Sequence, residues 1–123
     1  LGLLFFSRSL FTEEEKKMPA FPSALGALIQ RESPPKKEAL QEFLKIIKND
    51  DLREILPRIT TPTLIVSGEK DYICAKPKAE ELKSNLPNAF LKFIKNGGHG
   101  PFLTQPNVFN RILEDFLING KVN

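Results

Sequence analysis

His99 is the only histidine among 123 residues, and it stands in Gly97-Gly98-His99-Gly100-Pro101-Phe102. This segment follows a run that reads as a strand, Ala89–Ile94, and precedes one that reads as a helix. Twenty-eight residues earlier, Asp71 closes a second strand-like run, Leu64-Ile-Val-Ser-Gly-Glu-Lys-Asp71. An acid at one strand end and a histidine at the next form the second half of a Ser…Asp…His triad in that chain order. In such a triad the histidine takes the serine proton, while the acid fixes the imidazole tautomer and stabilises the imidazolium. The first half is missing, because no G-x-S-x-G occurs anywhere in the sequence.

Other readings of the same residues are open. Asp71 fits a turn in Gly68-Glu-Lys-Asp71, where Asp and Gly are favoured, and His99 fits a loop position without a task. Ser67 precedes Gly68 but lacks a glycine two positions before it and is not followed by an elbow. Cys74 is the sole cysteine, so it forms no internal disulfide. As a nucleophile it would need His99 nearby, and as a zinc ligand it has too few companions. Order and placement together favour Asp71 and His99 as acid and base.

The elements that position them change character along the chain. Residues 1–56 read as helical, without a strand signal. Thr12 and Glu15 have the spacing of a capping box at the start of a charged turn, Glu13 to Lys17. Pro19 and Pro22 break that helix; Ser23 to Gln30 forms a short apolar one, and Ser33-Pro34-Pro35 opens another. From Lys36 to Asn49 the spacing of Leu40, Phe43, Leu44 and Ile47 predicts an amphipathic helix laid against a partner. From residue 57 the period switches. Pro62–Val66 is a β-branched run of the kind found in buried parallel strands. Pro77–Leu86 is a helix with Ala79 and Leu82 inward, Ala89–Ile94 a strand, and Pro106–Ile118 a helix striped by Val108, Phe109, Ile112, Leu113 and Phe116. Asn96-Gly97-Gly98 supplies sharp-turn freedom before His99. The order β-α-β-α implies parallel strands joined by a right-handed crossover, with Asp71 and His99 at the carboxyl edge where such sheets bind ligands. Two parallel strands are too few for a complete sheet, so further strands are expected beside Leu64-Ile-Val66.

Composition narrows the classes. Apolar residues are 41% and charged residues 27%, as in globular domains. The net charge is +3, and no basic stripe with interleaved aromatics supports nucleic-acid binding. The longest apolar run, Leu3-Leu-Phe-Phe6, is too short to span a membrane and lacks the basic lead of a signal peptide. One cysteine fits a reducing compartment, the cytoplasm, or indifference to redox state. A start at Leu1 rather than Met reads as a truncated, partial or processed product.

Asp51-Leu-Arg53, Pro57, Pro62-Thr-Leu-Ile-Val-Ser-Gly68, Asp71, Gly98-His-Gly-Pro-Phe102, Gln105-Pro106 and Phe109 together resemble the C-terminal end of α/β-hydrolase esterases. Among these, the chain is most similar to the pimeloyl-[acyl-carrier protein] methyl ester esterase family of biotin synthesis. The similarity is carried by residues 38–119. Residues 1–37 share with that family's cap only their helical character. The resemblance implies an α/β fold comprising a helical cap, residues 1–56, and the last two strands of the hydrolase core, residues 57–123. It implies Asp71 as triad acid, His99 as triad base and Phe102 as a wall of the acyl pocket. Serine, elbow and oxyanion hole would belong to a missing N-terminal half of the core. No cofactor or metal is implied. The implied partner is a small ester, carried in that family on acyl carrier protein; nucleic acid and membrane are not. The charge of residues 1–56 is balanced, so it gives no sign of carrier docking. The competing readings are a related hydrolase of another small ester or lactone, and a non-catalytic truncated product.

Overall fold

Thr63–Gly68 (β1) and Ala89–Ile94 (β2) are the strands of the computed structural model, which describes residues 11–19, 37–49 and 51–120. They pair in parallel, from Thr63 opposite Ala89 to Gly68 opposite Ile94. The Thr63 amide extends the ladder by donating to the Asn88 carbonyl at 2.9 Å. Between the strands runs helix α2, Lys76–Asn85, after helix α1, Lys37–Asn49. Proline in the first turn of α2 removes an N–H that has no intrahelical partner. The same device opens the short α3, Pro101–Thr104, and α4, Pro106–Asn119. Helix α4 ends at Gly120 with φ +64, a left-handed cap whose amide donates to the Phe116 carbonyl at 2.8 Å.

The core lies between β2, α2 and the segment around residue 11. Phe11, Ala79, Leu86 and Ile94 are its buried apolar residues. Helix α4 covers β2 through an edge-on contact of Phe116 with Phe90, ring centres 5.8 Å apart. Lys76 caps the Phe93 ring at 4.6 Å, a cation over a π face.

Strand β2 and the parallel crossover follow the sequence pattern, and several details depart from it. The strand run expected to reach Asp71 stops at Gly68. The Asp71 amide folds back to the Gly68 carbonyl at 3.2 Å, so Glu69–Asp71 form a turn. The charged turn at Glu13–Lys17 is a 3-10 helix over Glu15–Lys17. Leu82 is 37% exposed rather than inward, because the space beside it is an open cleft. Of the α4 stripe Phe109, Ile112 and Phe116 are half-buried, while Val108 and Leu113 are exposed. Phe43 and Leu44 of α1 are also exposed rather than laid against a partner. The side chains of Leu40 and Ile47, the apolar helix at 23–30 and the Ser33 cap lie outside the described residues. The described sheet has two strands, which leaves the far edge of β1 without a neighbouring strand there.

Candidate active site

The carboxyl ends of β1 and β2 each lead into a turn, and the two turns are bonded side by side. The Glu69 amide donates to the Ile94 carbonyl at 3.0 Å, and the Lys70 amide to the Gly97 carbonyl at 2.8 Å. Such closeness requires Gly68. A Cβ there would lie 2.1 Å from the Gly98 carbonyl oxygen and 2.3 Å from that of Gly97. Of the expected turn residues Asn96, Gly97 and Gly98, the left-handed one is Asn96, φ +58. Asparagine tolerates that conformation, and Gly97 serves close approach, since a Cβ there would lie 3.2 Å from the Gly68 Cα.

This packing brings Asp71 and His99 together. His99 Nδ1 lies 2.9 Å from Asp71 Oδ2. The other carboxylate oxygen, Oδ1, accepts the amides of Ile73 and Cys74, each at 2.9 Å. The Asp71 side chain is 5% exposed and that of His99 36%. The acid is therefore fixed by the backbone, while the imidazole reaches solvent. An ionised carboxylate only accepts, so the Asp71 contact assigns the imidazole proton to Nδ1 and leaves Nε2 as the basic atom.

The pair sits on an open cleft of about 370 Å³. Its walls are Ile65–Gly68 of β1, Ala79 and Leu82 of α2, and Pro101, Phe102 and Phe109. Phe102 lines the cleft, half-exposed and edge-on to Phe109 at 6.0 Å. Ser67 also lines it, but within the β1 ladder opposite Phe93 and not on an elbow.

Cys74 is nearer the pair than its place in the sequence indicates. One ligand atom each of Asp71, Cys74 and His99 lies within 4.8 Å of the others, a set that could hold a metal ion. Desolvation by its surroundings, then the Asp71 charge, push the Cys74 thiol above its ordinary pKa. That direction opposes the activation a thiol nucleophile needs, since the thiolate is the attacking form. Asp71 also already engages His99 and two amides.

The profile of the α/β hydrolase fold matches residues 3–106. The chain belongs to the α/β-hydrolase fold family. It is 37% identical over 81 residues to the pimeloyl-[acyl-carrier protein] methyl ester esterase of Nitrosomonas europaea, covering 66% of this chain and 32% of that one. It is 39% identical over 67 residues to a Stutzerimonas stutzeri protein named for the carbamate hydrolase RutD, covering 54% of this chain and 25% of that one. Among solved structures, an esterase of Exiguobacterium antarcticum superposes with a TM-score of 0.77 at 26% identity, over 94% of this chain and 41% of that one. The chain thus spans about a third or less of the length of these two curated relatives.

Sequence reasoning also missed a partner of the His99 loop. Thr12 and Glu15 form the capping box their spacing implies: the Glu15 amide donates to Thr12 Oγ1 at 3.1 Å and the Thr12 amide to Glu15 Oε2 at 2.9 Å. The long-range half was not legible. Thr104 Oγ1 donates to Glu15 Oε1 at 2.7 Å, and Thr12 Oγ1 to the Asn96 carbonyl at 3.0 Å. Only the capping spacing could have flagged Glu15, and nothing in that spacing names Thr104.

Proposed function

We propose that this chain is the C-terminal portion of a serine carboxylesterase, with residues 1–56 as its helical cap and residues 57–123 as the end of its core. Asp71 is the triad acid and His99 the base. The observation that carries this reading is the 2.9 Å contact of His99 Nδ1 with a carboxylate whose other oxygen is held by two backbone amides. The two turn amides satisfy one carboxylate oxygen, and the imidazole 28 residues away is the partner of the other.

In the reaction, a serine hydroxyl from the segment preceding Leu1 gives its proton to His99 Nε2 as its oxygen bonds to the ester carbonyl carbon. The bond to the alkoxy oxygen then breaks, and the departing alcohol takes that proton. Water attacks the acyl carbon next and loses a proton to His99. The serine regains it as the carboxylic acid leaves. Asp71 accepts from Nδ1 throughout and stabilises each imidazolium. Phe102 and the apolar walls of the cleft suit an acyl chain, in keeping with the methyl ester of a carrier-bound acyl group named for the N. europaea relative.

The similarity to the protein named for carbamate hydrolysis supports a second reading, the same chemistry at a carbamate carbonyl. One experiment tests both. The coding sequence upstream of Leu1 is read and expressed in frame, and p-nitrophenyl esters are compared with an aryl carbamate. A G-x-S-x-G upstream and faster ester turnover are expected. His99→Ala and Asp71→Asn should each lower the rate by about 10³- to 10⁴-fold. Faster carbamate turnover selects the second reading. An upstream frame without a serine elbow refutes the esterase and leaves a non-catalytic product, whereas near-full activity in His99→Ala removes His99 from the machinery and makes it a structural residue.

A further inference from the structure

Glu15 is fully buried, lies outside the Asp71–His99 pair and has no part in the proton transfers above. Its carboxylate accepts from the Thr12 amide and the Thr104 hydroxyl, at 2.9 and 2.7 Å. Thr12 and Thr104 are themselves 6% and 3% exposed. Burying a carboxylate is costly unless its bonds are made, so this cluster has one good arrangement and poor alternatives. What it grips is the loop that carries His99. Thr12 Oγ1 holds the Asn96 carbonyl, three residues before the histidine, and Glu15 holds the Thr104 hydroxyl, five residues after it. Between these anchors the Phe11 ring closes on Gly100, where an added Cβ would sit 3.3 Å from its edge. The same segment reaches the acid's turn through an ion pair of Glu14 with Lys70 at 2.7 Å.

We propose that Glu15, acting with Thr12, is a positioning residue that sets the His99 loop so that the imidazole meets Asp71. The loop from Asn96 to Gly100 lies between β2 and α3; the Lys70–Gly97 bond ties its middle to the acid's turn, and Thr12 and Glu15 hold its two ends. This rests on the Asp71–His99 reading above, and the test separates the two. The readout is the hydrogen-bonded Nδ1 proton of His99 in the NMR spectrum of the full chain, assigned by its disappearance in His99→Gln. Glu15→Gln should keep the signal. A glutamine oxygen can accept from the Thr12 amide, and its NH2 can donate to Thr104 Oγ1, which still has the Gly100 carbonyl at 3.5 Å as acceptor. Glu15→Ala and Thr104→Val should lose or broaden it while far-UV circular dichroism stays that of the native chain. In the complete enzyme Glu15→Ala should lower kcat by about 10- to 100-fold with little change in KM, and Glu15→Gln should restore it.

An unchanged Nδ1 signal in Glu15→Ala and Thr104→Val overturns the proposal. So does a signal lost only together with the helical spectrum, which would make the cluster a tertiary contact and nothing more. Asp71→Asn is the reference variant. If it too leaves the signal intact, the acid–base pair itself fails, and with it any need to position His99.

Discussion

Gly68→Ala is the substitution for which the structure gives the clearest magnitude. The new Cβ would lie 2.1 Å from one carbonyl oxygen and 2.3 Å from another, both belonging to the His99 loop. Carbon and oxygen rest comfortably at about 3.3 Å, so the loop must withdraw by roughly 1 Å. These contacts are to backbone, which cannot rotate aside as a side chain would. The Lys70 amide to Gly97 carbonyl bond, now 2.8 Å, would open beyond hydrogen-bonding distance. One lost bond costs about 1 kcal/mol and overpacking about 1–3 kcal/mol, giving roughly 2–4 kcal/mol in total. His99 follows Gly98 directly, so its contact with Asp71 Oδ2 would stretch by a similar distance. A misplacement of about 1 Å costs on the order of 100-fold in rate. Urea denaturation and initial rates of the complete enzyme measure the two effects. Gly120→Ala is the control: nothing lies within 4 Å of its Cβ, and only the left-handed φ is strained. It should cost about 1 kcal/mol and leave the rate unchanged. A Gly68→Ala enzyme with wild-type midpoint and rate would refute the close-approach reasoning.

The Cys74 thiol should alkylate slowly at pH 7.5 and faster as pH rises, because its surroundings and Asp71 both disfavour the thiolate. Asp71→Asn removes one of those causes, so it should speed iodoacetamide labelling at a fixed pH; a slower reaction would contradict the assigned direction. Asp51 is fully exposed and held to a pKa of about 2, first by side-chain hydrogen bonds from Arg53 and then by that residue's amide. A depressed carboxylate favours the folded state above its unfolded pKa and loses that effect as pH falls toward about 2. The Asp51 carboxyl carbon should therefore titrate near pH 2 by NMR, and Arg53→Gln should return it toward about 3.9. Phe102→Ala should raise KM for long-chain esters more than for acetates, because it strips one wall of the cleft and leaves the acid–base pair in place. Equal effects on both would remove Phe102 from the acyl pocket.

The parallel strand pair, its crossover helix and the placement of Asp71 and His99 past consecutive strand ends were legible from residue pattern alone. Local chemistry sufficed for that: β-branched runs bounded by proline and glycine, three-and-four spacing in α4, and the Thr12–Glu15 capping spacing. Contacts between residues far apart in the chain came from the folded arrangement. The Asp71–His99 bond spans 28 residues, and the Glu15–Thr104 bond spans 89. No periodicity encodes either pairing. The role of Gly68 was hidden for the same reason, since a glycine closing a strand looks like turn chemistry until a second backbone is seen 2.1 Å from its absent side chain. Within the expected turn Asn96-Gly97-Gly98 it is Asn96 that takes the left-handed conformation, a choice among the three that is not readable without the turn around it. The apolar face of α1 was legible, but its burial was not. Amphipathic spacing specifies that a helix has a face to cover, and only the arrangement of the rest of the fold specifies what covers it.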